Sequence, residues 1–458
     1  MNRPMRILLV NPPRSPHNAI LDHASPQALP FIHRKLIGPP MGLLLIAATV
    51  RDQEVSILEM KGEYDLRPDA PSPEVLLAEW MARLQPDIVG VSMFASETPA
   101  GLAILREARR LDPDVLTLAG GLQPQLRASD VDDPAVDVVY LSTSPWPFRA
   151  LVLAYAAGKG RAVLSELDGV GELLIREEGQ LRPTRAGAKT FDLAGKDYPV
   201  LDRSLLNRWN PTYRVGKAPW PLTYLHSSLG CPYPCTFCAI TPPFGGAFFQ
   251  RSVEDVVAEL ATLQDYPVIR FADANTVVSP ALFERLFDRI AAEGFRQEYV
   301  MDIRADTAAR YPHVIEKMAR AGLKVVICGV ESPKQDELDA YDKRLDADAI
   351  PEAIRVFTEN DVQLRANYVV PSNYEEPDFV ALEKFASRHP AGLAGYTILT
   401  PLPGTPYYKS MLDAGEIVDH DLGKYNFFNS VTHSQMPLEK FYERVASLWL
   451  VRRGEEVI

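Results

Sequence analysis

Short apolar runs alternate along the chain with longer stretches in which apolar residues return every three or four positions. Over residues 1–160 the runs Ile7–Val10, Val55–Leu58, Ile88–Ser92, Val115–Ala119 and Val136–Leu141 read as strands, and Met41–Asp52, Glu74–Leu84 and Ala100–Leu111 as helices. Strands separated by helices of this length predict a parallel, doubly wound α/β sheet. The pair Gly120-Gly121 directly follows a strand. Glycine there lets backbone approach a ligand or simply makes a tight turn, and the pattern leaves both readings open.

Residues 161–213 carry weak periodicity and several turn signals, which predicts a linker with a small hairpin over Ala162–Leu181. From Leu222 the alternation returns. Strands are predicted over Thr223–Ser228, Val268–Asp273, Tyr299–Arg304, Lys324–Glu331, Gln363–Val370 and Ala394–Thr400. Between them the helical period covers Val253–Gln264, Pro280–Glu293, His313–Ala321, Pro351–Asn360 and Pro377–Arg388. Six such units over residues 214–410 predict an open, partial (β/α)6 barrel whose strand-end loops build the site. Residues 411–458 form a C-terminal segment ending in the helical stretch Leu438–Arg453.

Composition changes this picture little. The chain has 458 residues, 47% hydrophobic and 24% charged, which is ordinary for a folded protein and far from disorder. A net charge of −12 argues against a surface that neutralises nucleic acid or anionic lipid, and favours a small, cationic substrate. The N-terminal apolar run ILLV is too short for a secretory signal or a membrane span, so a cytoplasmic protein is expected.

The four cysteines change it more. Cys231, Cys235 and Cys238 stand at C-x3-C-x2-C spacing just after the first barrel strand, flanked by Gly230, Pro232 and Pro234. Three thiolates on one short loop fill three iron sites of a [4Fe-4S] cluster and leave the fourth iron open to a chelating ligand. A structural zinc site needs a fourth ligand, and no His or Cys follows closely. Thiols used only for packing would not sit in a loop rich in Pro and Gly. Cys328, on a predicted strand, reads as a small core residue.

The cluster loop, with ILLVNPP at Ile7–Pro13, PPMGLLLIAA at Pro39–Ala48, PDIVGVS at Pro86–Ser92, AGG at Ala119–Gly121, RSVEDVVAEL at Arg251–Leu260, FADAN at Phe271–Asn275, IRAD at Ile303–Asp306, GVES at Gly329–Ser332 and TPLPGTPYY at Thr400–Tyr408, resembles the radical S-adenosylmethionine (SAM) superfamily. The likeness is to its branch with an N-terminal cobalamin-binding domain, and it runs over almost the whole chain. It implies a [4Fe-4S] cluster on the three cysteines, SAM as the ligand of the open iron, and reductive SAM cleavage to a 5′-deoxyadenosyl radical. It further implies that Phe237 lies against the adenine, that Asp273 meets the methionyl ammonium, and that Arg304 and Glu331, with Ser332 beside them, bind the carboxylate or ribose. Each of these could instead be a polar strand-end residue that caps the next helix. An external electron donor such as flavodoxin or a reductase is implied as well.

The chain departs from its cobalamin-binding relatives at two places. Leu122-Gln123-Pro124-Gln125 replaces the histidine that usually follows the glycine pair, and Ser142-Thr143-Ser144-Pro145-Trp146 replaces a GEGE-like turn. Trp146, Pro147 and Phe148 are bulky enough to fill the corrin space. These losses suggest a degenerate cobalamin domain and disfavour bound cobalamin. The favoured expectation is then a cobalamin-independent dehydration of an aminoglycoside diol, similar to the radical SAM diol-dehydratases of apramycin-type biosynthesis. The alternative is a cobalamin-dependent C-methyltransferase. An iron–sulfur carrier or sensor is the reading from another class, but a carrier gains nothing from a barrel with SAM-type residues at successive strand ends. Asn367 and Tyr396 are candidates for the barrel interior, although strand parity alone does not decide which way either points.

Overall fold

The computed structural model describes residues 3–32, 38–158, 169–184, 198–214 and 221–451. It divides into two units, one of Met1–Pro16 with Pro39–Thr212 and one of His17–Gly38 with Tyr213–Ile458.

The first unit is built on strands β1 (Arg6–Asn11), β2 (Glu54–Glu59), β3 (Ile88–Ser92), β4 (Leu116–Gly120), β5 (Val138–Tyr140), β6 (Leu173–Glu177) and β7 (Gln180–Pro183). They form one sheet in the order β2-β1-β3-β4-β5-β6-β7, parallel as far as β5 and antiparallel in the last hairpin. The parallel part is doubly wound, with its switch point between β1 and β3. Open α/β sheets bind ligands at that point. β1, β3 and β4 are apolar and buried almost throughout, as expected of strands covered on both faces.

Of residues 161–213, expected as a linker, the structure describes 169–184 and 198–213, and these parts are folded. The hairpin lies at Leu173–Pro183, later than expected, and extends the first sheet because Leu173, Leu174 and Ile175 find backbone partners on β5. The part of the expected hairpin over residues 162–168 lies outside the described residues. Further on, Trp209 is 1% exposed and its indole donates to Glu63 at 2.9 Å. Arg208 grips the same carboxylate at 2.8 Å, and these donors hold the Glu63 pKa down at about 2.

The second unit holds β8 (Leu222–Leu225), β9 (Ser228–Gly230), β10 (Phe248–Gln250), β11 (Val268–Phe271), β12 (Glu298–Asp302), β13 (Leu323–Glu331), β14 (Gln363–Val370) and β15 (Leu393–Ile398). Six of them make a parallel sheet in the order β8-β11-β12-β13-β14-β15, while β9 and β10 form a separate antiparallel ladder beside the cysteine loop. This is the open six-strand barrel sheet expected, with helices such as Val253–Ala261, Pro280–Glu293 and Ala349–Glu359 between the strands. Residues 17–32 and Gly38, read from the sequence as part of the first domain, group with this unit. The helical turn Ala19–Asp22 buries Ile20 in the barrel core, and Ala19 donates to Asn429 of the C-terminal segment at 3.1 Å. Among the described residues no helix is long and apolar enough to cross a membrane.

Candidate functional site

The cysteine loop leaves the barrel through a turn that a buried carboxylate ties down. Asp273, after β11, accepts from the Ser227 and Ser228 amides at 2.8 Å and from the Ser227 hydroxyl at 2.6 Å. Burial pushes its pKa up to about 7 despite those bonds. Gly230 then adopts φ +76°, and a Cβ there would stand 2.2 Å from the Ala247 carbonyl oxygen, so no other residue fits immediately before Cys231.

The loop is held from its far side too. The Thr236 amide donates to the Tyr341 carbonyl and the Tyr407 amide to the Thr236 carbonyl, each at 2.9 Å. Phe237 meets the Tyr341 ring edge-on at 5.7 Å. Thus the segment after β13 and the TPYY turn at Thr405–Tyr408 both brace the cluster loop.

Cys231, Cys235 and Cys238 line a single cavity of about 420 Å³ in the barrel. Burial raises the pKa of all three thiols, which must lose their protons to bind iron. Among the described residues no three His, Cys, Asp or Glu side chains converge closely enough for one metal ion. All three thiols line the same cavity, and a three-thiol donor set suits an iron–sulfur cluster.

Other walls carry charge. Arg304 lies over the Tyr233 ring at 3.9 Å, pairs with Asp306 at 3.0 Å, and donates to the carbonyls of Lys343 and Arg344 at 3.0 and 2.9 Å. Its Nη1 takes part in none of these hydrogen bonds. Glu331, at φ +62°, pairs with Lys343 at 2.6 Å. Burial works against the Lys343 charge, but Glu331 and the nearby Cys235 hold its pKa above the usual value.

Of the residues singled out in the sequence, Phe237, Arg304 and Glu331 line this cavity with the cysteines. Asp273 and Ser332 do not. Asp273 spends its oxygens on the turn before the cluster loop, and Ser332 is fully buried behind Glu331 with its hydroxyl accepting from the Lys334 amide at 3.0 Å. Near Asp273 in sequence, Asn275 does line the cavity, and its amide oxygen and nitrogen are both buried without a hydrogen-bond partner. Lys343 was missed because nothing local marks it. Asn367 lines the cavity, whereas Tyr396 turns into the core and stacks on Tyr368 at 5.2 Å. Cys328 is the expected core residue, and burial lifts its pKa to about 12.

The first unit has its own pocket, of about 120 Å³, at the sheet's switch point. Its walls include Leu9, Gly42, Gly90, Gly120, Gly121 and the hydroxyl residues Ser92, Ser142, Thr143 and Ser144. Gly121 has φ +95°, and a Cβ on it would sit 2.5 Å from the Met93 amide. Glycine is therefore required here by the Met93 backbone packed against it, and the wall at this point is backbone. Phe148 is fully buried against Tyr140 and lines the pocket together with Pro145, while Trp146 is 38% exposed and is not among its lining residues. Of the bulky segment expected to fill the ligand space, Phe148 thus forms part of the wall and Trp146 stands away from it. No histidine lines the pocket, so these residues supply no imidazole to a cobalamin, but a glycine wall with hydroxyls suits its nucleotide portion.

Comparison with known proteins finds a family match in each part of the chain. A family model for the radical SAM superfamily matches residues 225–386, and one for the B12 binding domain matches residues 29–152. The chain is 25% identical to an uncharacterized methyltransferase of Pyrococcus horikoshii, over 86% of this chain and 83% of that one. It is 22% identical to hopanoid C-3 methylase of Methylococcus capsulatus, over 92% and 77% respectively. Its fold is similar to that of the radical SAM methyltransferase TsrM from Kitasatospora setae, solved with cobalamin and a [4Fe-4S] cluster, at a TM-score of 0.67 and 16% identity over 96% of this chain and 85% of that one.

Proposed function

Because the chain belongs to the radical SAM superfamily and carries a B12-binding domain ahead of its cluster domain, we propose that it is a cobalamin-dependent radical SAM C-methyltransferase of a small molecule. The observation that carries this is the open, glycine-walled pocket at the switch point of the first sheet. It reverses the expectation that cobalamin is disfavoured and sets the dehydratase reading second. Relatives named as methylases over most of their length support the same choice.

When bound, cobalamin carries a methyl group, and the cluster with SAM supplies a radical able to take hydrogen from an unactivated carbon. The chain's own part is to hold and shield. Cys231, Cys235 and Cys238 would hold the cluster, and the Asp273 turn with the Tyr341 and Tyr407 backbone bonds fixes the loop that carries them. Arg304 and the Lys343–Glu331 pair give the cavity fixed charges suited to the zwitterionic end of SAM. Apolar Ile303, Ile327 and Leu399 help to keep water from the reacting carbon. Reduced thiols and an oxygen-labile cluster suit the cytoplasm, with a flavodoxin or reductase as electron source.

The test is anaerobic incubation of reconstituted enzyme with SAM and dithionite, with and without hydroxocobalamin, and with paromamine added in a parallel arm solely as the probe for dehydration. Formation of S-adenosylhomocysteine that requires hydroxocobalamin is expected. Loss of water from paromamine without hydroxocobalamin would overturn the proposal in favour of dehydration.

A further inference from the structure

Besides the Arg304 and Lys343–Glu331 groups, strands β11, β12 and β14 bring two guanidinium groups and one carboxylate together. Arg270 on β11 pairs with Asp302 on β12 at 3.0 Å and donates to the Tyr224 hydroxyl at 3.1 Å. Arg365 on β14 lies near the same groups without bonding to them, and its side chain makes no hydrogen bond or ion pair with the described residues. Burial and the neighbouring Arg270 both lower its pKa, with only partial compensation from Asp302. Two residues along the same strand face, Asn367 also has no hydrogen-bond partner among the described residues, and across the cavity the Asn275 amide is unpartnered as well.

Folded proteins leave few polar groups unbonded away from water; Asn275 is buried outright, while Arg365 and Asn367 are half-buried, and the carboxylate nearest Arg365, Asp302, is already paired with Arg270. Arg365, Asn367 and Asn275 all line the one cavity that also receives the three cysteines. Beside them stand Phe427, Phe428 and Trp449 of the C-terminal segment. Phe427 is 38% exposed and holds φ +71°, a conformation that bulky residues adopt only under constraint.

We infer that the substrate is an acid, bearing a carboxylate or phosphoryl group that Arg365 binds with help from Asn367, and an apolar body that rests against Phe427 and Trp449. The planar fork of a guanidinium matches two oxygens of either group. An amino sugar would add positive charge beside Arg365 and leave it unneutralised, so the acidic net charge of the whole chain misleads about its interior. The inference rests on the reading that this cavity receives the substrate, but it does not depend on methyl transfer.

The test uses the full chain, cluster reconstituted and saturated with SAM so that the SAM subsites are filled. Phenylphosphonate and phenylacetate serve as anionic probes and phenethylamine as the cationic control, with binding followed by calorimetry. The anions are expected to bind and the amine not. Arg365→Gln should weaken the anions about tenfold or more, Arg365→Lys should restore part of that, and SAM affinity should hold in both. Asn367→Leu, which changes no charge, should weaken the anions several-fold and carries the test should Arg365→Gln fail to fold. Equal anion affinity in wild type and the folded variants would overturn the inference, as would a loss of SAM affinity in Arg365→Gln, which would make Arg365 a ligand of the SAM carboxylate. Anion binding that persists in an enzyme forming no S-adenosylhomocysteine would sink the methyltransferase reading alone.

Discussion

The Lys343 ammonium donates to Glu331 Oε1 at 2.6 Å, and each side chain is only 10% exposed. Removing one partner of such a pair strands the other charge in a low-dielectric wall, at a cost of about 3–5 kcal/mol. Lys343→Met and Glu331→Gln should each lower the denaturation midpoint and weaken SAM binding, while the double variant recovers much of the stability but not the SAM affinity. Chemical denaturation and equilibrium dialysis with SAM check both halves.

The room for that pair comes from residue 329. A Cβ on Gly329 would lie 2.2 Å from Glu331 Oε1 and 2.9 Å from Lys343 Nζ. Gly329→Ala is expected to weaken SAM binding while iron content stays at the wild-type level, because the cysteines are untouched. Unchanged SAM affinity would show that the pair can shift at no cost.

Cluster content gives a sharper separation. Cys231→Ala, Cys235→Ala and Cys238→Ala should each abolish 5′-deoxyadenosine formation with dithionite, whereas Cys328→Ala, in the core, should still reconstitute to about four irons. Iron and sulfide analysis alongside product assay distinguishes them.

Two buried carboxyls make stability depend on pH. Burial lifts both Asp273 and Glu59 to about 7 from ordinary values of 3.8 and 4.5. Between about 4 and about 7 the folded protein therefore keeps protons that the unfolded chain has released. Their contribution is fully present below that window and is lost as pH rises through it. Each should account for on the order of 2–4 kcal/mol. Denaturant melts at pH 5 and pH 7 are expected to show this fall, and Asp273→Asn or Glu59→Gln to flatten it.

Position 42 tests the cobalamin pocket without strain, since a Cβ there meets nothing within 4 Å. Gly42→Leu should fill the pocket, keep the fold, and cut the hydroxocobalamin retained after reconstitution, read by its absorbance. Full retention would remove the pocket from the account.

The strands of both sheets were legible because each is an apolar run bounded by turn residues, and β3 and β14 fall on their expected residues. Helices of six or seven residues, such as Met60–Leu66, Ala305–Arg310 and Gln335–Ala340, were not, since less than two turns shows no period. The cysteine motif announced itself by spacing. Lys343 could not, because its meaning lies in a tertiary contact with Glu331 twelve residues earlier. Asp273 misled for a related reason. A carboxylate at a strand end satisfies both a ligand role and a turn role on paper, and only the bonds to Ser227 and Ser228 choose between them. For the glycine pair at residues 120–121 the loss of a neighbouring histidine suggested a dead site, yet the pocket is walled by backbone, which leaves no signature in side chains.

Along β14 the residues alternate strictly. Leu364, Ala366, Tyr368 and Val370 lie in the helix-packed core, and Arg365, Asn367 and Val369 face the cavity. The strand thus keeps two independent ledgers, one read by folding and the other by chemistry. Descendants of this chain could exchange one metabolite for another by rewriting the cavity-facing positions while every helix contact stays as it was, so the barrel can persist through lineages whose products have nothing in common.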